Sequence, residues 1–160
     1  MIKSGGFFYY RGERCIIGAV VPLKEVTYIV TAAHIFRGEG DQVIVDGKEV
    51  FVRKILKNFD LALIELPPDC KFEFTKLGKA IELEQALLVN DTRTIRCRVV
   101  NAGNTLLYLG FRCLDMPLPG DSGSPILQAG KVIGFISSIT LDNCTGTAIS
   151  SGILLRHLDR

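Results

Sequence analysis

A serine in a glycine-rich segment is the first feature of this chain that could do chemistry. Ser122 lies within Leu118–Pro125, which reads LPGDSGSP, and it stands between an acidic residue and a glycine. Glycines beside a serine allow a sharp turn, which can expose the hydroxyl and aim backbone N–H groups into the same space. An ordinary surface turn explains the segment equally well. The interpretation therefore depends on whether partners for the serine occur elsewhere.

A general base is the first partner to look for, and the chain has only two histidines. His34 ends the run Tyr28–His34, where an apolar strand gives way to small residues. An imidazole held at a strand end can accept a proton near neutral pH, although a purely structural histidine is the alternative. His157 lies in a C-terminal segment that predicts a helix, and we expect it on a solvated face with no chemical role.

A carboxylate is the second partner, because a histidine base needs a group that fixes its tautomer and stabilises its charged form. Asp60 directly precedes the apolar run Leu61–Ile64. An aspartate so close to a buried strand needs a partner to offset its desolvation. An ordinary aspartate at a strand end remains the alternative. If Asp60 pairs with His34, the three residue types needed for serine-based acyl transfer are present.

The elements that would hold these residues are predominantly β-strands. Short runs rich in Val, Ile, Phe and Tyr are separated by Gly, Asp, Asn and Pro, which is typical of antiparallel sheets. Asp46-Gly47 is a strong hairpin signal, and the stretch from Pro67 to about Lys79 reads as a linker. The pattern predicts two sets of six strands: Phe7–Arg11, Cys15–Val21, Val26–Val30, Gln42–Val45, Glu49–Leu56 and Leu61–Leu66, then Gln85–Val89, Thr94–Asn101, Leu106–Leu114, Ser124–Gln128, Val132–Ile139 and Thr145–Ser150.

Length and composition limit the remaining possibilities. The chain has 160 residues, 48% of them apolar, which is enough to bury a sizeable core. The net charge of +2 gives no argument for a nucleic-acid or membrane partner. No signal peptide is visible at the N-terminus, so an intracellular protein is expected if Met1 is the natural start. Substrate peptides or proteins are the expected partners, and the oligomeric state stays open.

Three motifs together resemble the trypsin/chymotrypsin-like serine protease family. Thr31–His34, Asp60–Leu63 and Gly120–Pro125 look like the three signatures of that family, in its order. The order also excludes the α/β-hydrolases, in which the serine comes first. The resemblance implies an all-β, chymotrypsin-like fold of two antiparallel six-stranded β-barrels. They would comprise residues 1–79 and 80–150, with a short C-terminal helix over residues 151–160.

The resemblance also implies roles for individual residues. Ser122 would attack the scissile carbonyl, His34 would carry the proton, and Asp60 would orient His34. The backbone N–H groups of Gly120 and Ser122 would form the oxyanion hole. No metal or other cofactor is implied. Further positions resemble the family's substrate-binding elements: Ser137, Ser138 and Ile139 on the strand that pairs with the substrate, Gly146 and Thr147 on the far wall of the specificity pocket, and Met116 and Pro117 at its base. The resemblance also implies that the Ser137 hydroxyl supports Asp60.

Some features depart from the family's secreted digestive members. Ile16–Gly18 superficially resembles their activated N-terminus but lies too close to His34, so we predict no activating cleavage there. Asp121 must then find a partner other than a new N-terminal amine. The short spacing between the three motifs predicts trimmed loops, and Ile35 stands where a cysteine usually follows the histidine. This compact pattern looks more like viral and some bacterial members, so a viral protein in a host cell is one expected setting.

The five cysteines are odd in number and lack metal-ligand spacing. We interpret them mainly as small buried apolar side chains. Because Cys113 and Cys144 flank the two walls of the pocket implied by the resemblance, a disulfide between them is left open.

The function expected from the sequence is hydrolysis of peptide bonds by a serine endopeptidase through an acyl-enzyme intermediate. Met116 occupies the base of the implied pocket, where an acidic residue would select Lys or Arg. An uncharged or apolar residue is therefore expected on the acyl side of the cut. Processing of a polyprotein is one expected use. The alternative is a non-catalytic module of the same fold that binds peptide or RNA.

Overall fold

The computed structural model of the protein describes residues 1–158. Two antiparallel β units follow each other along the chain, and a short helix closes it. No helix in this described part is long and apolar enough to cross a membrane. The strands are β1 Phe7–Tyr10, β2 Glu13–Ile16, β3 Ala19–Leu23, β4 Val26–Ala32, β5 Gln42–Val45, β6 Lys48–Leu56, β7 Leu61–Leu66, β8 Gln85–Val89, β9 Thr94–Ala102, β10 Leu106–Phe111, β11 Pro125–Gln128, β12 Lys131–Thr140 and β13 Thr145–Ser150.

The first unit is a curled sheet of seven strands in the order β2-β1-β5-β6-β7-β4-β3. The prediction of six strands here was wrong because the apolar run Cys15–Val21 divides into β2 and β3 around Gly18. A Cβ at Gly18 would lie 2.6 Å from the Phe135 ring and 2.7 Å from the Gly123 carbonyl oxygen. The backbone therefore breaks its strand at Gly18, where it passes closely against the second unit.

The second unit is a closed barrel of six strands in the order β10-β13-β12-β11-β8-β9. Its interior is filled by inward-facing aliphatic residues such as Leu88, Ile95 and Leu107, each fully buried. β10 ends at Phe111 rather than continuing to Leu114 as predicted. Leu114 is fully solvent-exposed, and a loop leads from there towards Ser122. The all-β, two-unit fold expected from the sequence is confirmed, with the strand count of the first unit corrected.

A third apolar cluster holds the two units together. It joins Ala19 and Leu61 of the first unit to Val132 and Phe135 of the second, all nearly or fully buried. The helix α1 (Gly152–Leu158) adds Ile153 and Leu154 to this cluster. The predicted helix continued to Arg160, and its last two positions lie outside the described residues. Because side chains of both units share one core, the cleft between them has a defined geometry.

Candidate active site

His34 and Asp60 are brought together by the pairing of β4 with β7. His34 lies in a one-turn 3₁₀ helix, Ala33–Ile35, directly after β4. Ala32 pairs with Leu61 in the sheet, so the residues that follow β4 meet those that precede β7. The His34 backbone N–H donates to Asp60 Oδ1 at 2.7 Å, and His34 Nδ1 lies 2.8 Å from Asp60 Oδ2. The carboxylate thus holds both the backbone and the ring of the histidine.

The hydrogen bond to Asp60 determines which ring nitrogen of His34 is available. A carboxylate can only accept, so Nδ1 must donate to it. In the neutral ring Nε2 is then left as an acceptor. His34 Nε2 lies 3.1 Å from Ser122 Oγ, which is within reach for proton transfer from a serine hydroxyl.

Besides its two hydrogen bonds with His34, Asp60 is held by its backbone conformation and by a serine of the second unit. It adopts a left-handed backbone conformation (φ 50°, ψ 41°) after the 3₁₀ turn Lys57–Phe59, a conformation that aspartate tolerates better than most residues. Its Oδ2 also accepts a hydrogen bond of 2.5 Å from Ser137 Oγ. Ser137 belongs to β12 of the second unit, at a register shift between Ile136 and Ser138. The bulge turns Ser137 towards Asp60 across the cleft.

Ser122 is held by close packing of the glycine-rich segment against the segment that carries His34. Gly123 has a φ of +85°, and a Cβ there would collide with Thr31 Oγ1 and the Ala32 backbone nitrogen. The Gly123 N–H donates to the Ile136 carbonyl at 2.9 Å. The serine motif and the histidine motif are therefore in direct contact. This contact needs a glycine at position 123, because the backbone there has a positive φ and no room for a side chain.

The predicted oxyanion hole is not assembled in this structure. Pro119–Asp121 forms a single 3₁₀ turn, in which the Pro119 carbonyl accepts hydrogen bonds from the Ser122 N–H at 3.4 Å and from Ser122 Oγ at 3.1 Å. The N–H of a trans peptide points away from its own carbonyl oxygen. The Gly120 N–H is therefore directed away from the space beside Ser122, where the Pro119 oxygen lies.

Asp121 is buried, at 3% exposure, and its partners come from the turn between β8 and β9. Asn90 Nδ2 donates to Asp121 Oδ1 at 3.0 Å, and Arg93 Nε lies 3.4 Å from the same oxygen. Oδ2 accepts from the Leu118 N–H at 2.8 Å. Asn90 Nδ2 also lies 3.0 Å from Ser124 Oγ. The Asn90 amide and the Arg93 guanidinium are thus the partners of Asp121 that the sequence did not identify.

The predicted substrate-binding residues all lie on the second unit, which also carries Ser122. Met116 is half-buried and Pro117 buried in the loop that follows β10. Ser138 and Ile139 pair with Thr147 and Gly146 between β12 and β13, and the Ser138 and Thr147 hydroxyl oxygens lie 2.6 Å apart.

Gly146 allows β13 to pack closely against β12 and the Phe111 ring. A Cβ there would lie 2.9 Å from the Ser138 carbonyl oxygen and 3.1 Å from the Phe111 ring. A larger residue at this position would therefore displace the backbone of β12 or the ring of Phe111. Apart from Ser138 and Thr147, this environment is largely apolar.

A disulfide joins Cys113 to Cys144, with 5.1 Å between the Cα atoms. It ties the loop that carries Met116 to the turn between β12 and β13. The remaining cysteines are free, with Cys15 and Cys97 buried and Cys70 half-buried. Burial raises the pKa of the Cys97 thiol to about 12, and burial together with the Glu13 charge raises that of Cys15 to about 11. The description of the cysteines as buried apolar residues thus fits Cys15 and Cys97, not the bridged pair.

Sequence reasoning missed Asn90 and Arg93. Asn90 does carry a local signal, because its Oδ1 accepts from the Thr92 and Arg93 N–H groups in a typical Asx turn. Nothing in that turn indicates that its amide meets Asp121, 31 residues further along. Within residues 1–158, no group of three or more His, Cys, Asp or Glu side chains could hold a metal ion.

No protein-family model matches the chain, and no curated protein matches it. Solved structures do. Thermobifida fusca protease A superposes with a TM-score of 0.79 at 17% identity over 99% of this chain and 96% of that one. A Nocardiopsis protease gives 0.77 at 17% identity, covering 99% and 97%. A human pathogenic astrovirus serine protease gives 0.65 at 24% identity, covering 94% and 91%. The chain therefore has the fold of the chymotrypsin-like serine proteases.

Proposed function

We propose that the protein is a serine endopeptidase that uses Ser122, His34 and Asp60 as a catalytic triad. The observation that carries the proposal is the continuous series of contacts from Ser122 Oγ through the His34 ring to the Asp60 carboxylate. The His34–Asp60 contact has the length and direction that a triad requires, and Ser122 Oγ lies within proton-transfer distance of His34 Nε2 once its hydroxyl turns from the Pro119 carbonyl. Similar proteases share the fold, which supports the proposal without carrying it.

In the proposed reaction, Ser122 Oγ attacks the scissile carbonyl while His34 Nε2 accepts the hydroxyl proton. Asp60 stabilises the imidazolium that forms and keeps it aligned. The C–N bond then breaks, and His34 delivers the proton to the leaving amine. The acyl group is left on Ser122 and is hydrolysed by a water that His34 activates in the same way.

Oxyanion stabilisation requires a rearrangement in this scheme. The hydrogen bonds to the Pro119 carbonyl must break, and the Pro119–Gly120 peptide must rotate so that the Gly120 N–H faces the reacting carbonyl. Gly120 suits this rotation because a glycine adopts positive and negative φ values with similar ease.

We further propose that an uncharged or apolar residue is preferred on the acyl side of the cut. Met116 is half-buried in the loop that leads to Ser122, and the Phe111 ring packs beside Gly146, so both of these pocket positions implied by the family resemblance are apolar in character. Asp115, the neighbour of Met116, is exposed. Its exposure gives no reason to expect a negative charge at the base of the pocket. A polyprotein with such residues at its junctions is a candidate substrate.

Labelling with a fluorophosphonate probe tests the proposal directly. The folded protein should react at Ser122, and the Ser122→Ala variant should not. Ser150→Ala serves as the matched control because Ser150 is the last residue of β13, where it pairs with Gly134, and it does not line the cavity beside Ser122. Retained labelling of Ser122→Ala would contradict the assignment.

The alternative function is peptide binding without cleavage. It would be favoured if the folded wild-type protein neither reacted with the probe nor cleaved a diverse peptide library, and yet retained peptides from that library. Strongly salt-dependent retention of RNA would favour the RNA-binding version of this alternative.

A further inference from the structure

A cavity of about 480 Å³ opens beside His34 and Ser122. His34 and Ser122 line one end of it, and the tip of the β1–β2 hairpin lines the other. None of the seven predicted substrate-binding residues, all of them within the described part of the chain, lines this cavity. Since the acyl portion of a peptide would occupy those seven residues, the cavity is placed to receive the leaving-group portion.

The strand beside the cavity can guide an extended peptide. β2 is the edge strand of its sheet, with β1 as its sheet neighbour. It also approaches the 3₁₀ turn Pro119–Asp121. An edge strand offers unpaired backbone groups to which an extended chain can add. Residues that follow the cleaved bond would therefore run between β2 and the segment after His34.

Arginine side chains dominate the charge of this cavity. Arg11, Arg14 and Arg37 line it, and Glu13 is the one carboxylate that does so. Arg14 is already neutralised by an ion pair with Asp91 and lies over the Phe7 ring, 5.5 Å from its centroid. Arg11 and Arg37 are exposed, and neither forms an ion pair within the described part of the chain.

Both free arginines stand on fixed backbone. Arg11 occupies the turn of the β1–β2 hairpin with a φ of 53°. The Arg37 N–H donates to Asp41 Oδ2 at 2.9 Å, and the same oxygen accepts from Tyr10 Oη at 2.7 Å. Asp41 thus anchors the Arg37 backbone to the hairpin and leaves the guanidinium available. Two such cations are suited to a carboxylate, which arginine can bind through two parallel hydrogen bonds.

We propose that Arg11 and Arg37 make the enzyme select an acidic side chain within the first residues on the leaving-group side of the cut. This inference depends on the proposed endopeptidase activity, and it adds a requirement on the opposite side of the bond from the apolar pocket. The substrates would be peptides with an apolar residue before the cleaved bond and Asp or Glu shortly after it.

Matched peptides that differ at one leaving-side position test the inference. We expect kcat/KM for the peptide with Asp to exceed that for the peptide with Asn about fivefold at low salt, the size expected for exposed ion pairs. Raising the ionic strength should reduce this ratio. Arg11→Gln and Arg37→Gln should each lower it, while Glu13→Gln should raise it, because that change removes the carboxylate that lines the cavity.

The same series separates the failure of this inference from the failure of the proposed activity. Cleavage of all peptides with an Asp-to-Asn ratio near one would overturn the acidic preference and leave the endopeptidase proposal intact. If no peptide is cleaved, binding of the two peptides to Ser122→Ala by fluorescence polarisation still decides the point. The inference would be supported if Ser122→Ala bound the Asp peptide more tightly than the Asn peptide and this difference disappeared in Ser122→Ala/Arg37→Gln. Equal binding of the two peptides to Ser122→Ala would refute it.

Discussion

Ser137 Oγ donates a hydrogen bond of 2.5 Å to Asp60 Oδ2, the same oxygen that accepts from His34 Nδ1. Asp60 and His34 belong to the first unit, whereas Ser137 comes from β12 of the second. The contact therefore makes the alignment of the triad depend on how the two units pack. It also supplies a third hydrogen bond to a carboxylate that is only partly shielded from solvent, at 21% side-chain exposure.

Ser137→Ala should consequently lower kcat about tenfold, since a hydrogen bond to a charged group contributes about 1.5–3 kcal/mol. KM should change little, because the Ser137 hydroxyl is bonded to Asp60 and pairing of its strand with a substrate would use backbone groups. Steady-state kinetics on one peptide substrate measures both constants. Ser137→Thr keeps the hydroxyl and should restore part of the loss. An unchanged kcat in Ser137→Ala would show that Asp60 does not need this partner.

Gly120→Ala should abolish turnover while leaving the fold intact. The rotated Pro119–Gly120 peptide needs a backbone conformation that glycine alone adopts without strain, so alanine should hold the 3₁₀ turn closed. Loss of an oxyanion donor costs at least about 100-fold in kcat. The melting temperature should not fall, because a Cβ at Gly120 meets nothing within 4 Å. Gly110→Ala, where an added Cβ meets only the Val100 side chain at 3.5 Å, is the matched glycine control and should remain active.

Asn90→Ala should destabilise the protein by about 2–3 kcal/mol, because it leaves the buried Asp121 and Ser124 without the amide donor they share. Chemical denaturation measures this loss. Activity should fall as well, since Asp121 directly precedes Ser122. Asp69→Asn breaks the exposed ion pair with Lys48 and should leave stability unchanged. Similar effects from both substitutions would contradict the structural role of the Asn90 amide.

Acid stability should depend on Tyr10. The hydrogen bond from Tyr10 holds the pKa of Asp41 below its ordinary value. A lowered pKa in the folded state stabilises the protein above the unfolded value, which is about 3.9, and this contribution disappears as the pH falls through the folded value. Tyr10→Phe should therefore reduce the free energy of unfolding at neutral pH. Below about pH 4, this free energy should decrease less steeply with falling pH in the variant than in the wild type.

Unfolding free energies measured between acid and neutral pH test this, with the exposed neighbour Tyr9→Phe as the control. If the free energy of unfolding of wild type and of Tyr10→Phe depended on pH in the same way, the hydrogen bond from Tyr10 would not lower the pKa of Asp41.

Thiol chemistry should distinguish the five cysteines. Without reductant, the denatured protein should present the three free thiols of Cys15, Cys70 and Cys97, and reduction should add the pair joined in the disulfide. In the native protein Cys70 should be alkylated first. Cys15 and Cys97 should react slowly, because burial raises their pKa values to about 11 and about 12. Peptide mapping after alkylation gives the order, and early labelling of Cys113 would argue against the bridge.

The sequence by itself determined the all-β class, the division into two strand-rich halves and the identity of the candidate triad. It could do so because strand periodicity, turn residues and the contexts of Ser122, His34 and Asp60 are properties of short segments. The same local reasoning failed at Gly18. What breaks the strand there is the approach of Phe135 and Gly123, which are more than 100 residues away along the chain.

Tertiary structure alone decided the features that depend on groups meeting across the cleft. The pairing of Asn90 with Asp121 and the arginines beside Ser122 join residues distant in sequence. The closed turn at Pro119 is different, since its residues are neighbours. Its two peptide orientations are compatible with the same glycine-rich sequence, so hydrogen bonding within the folded site determines which of them is adopted.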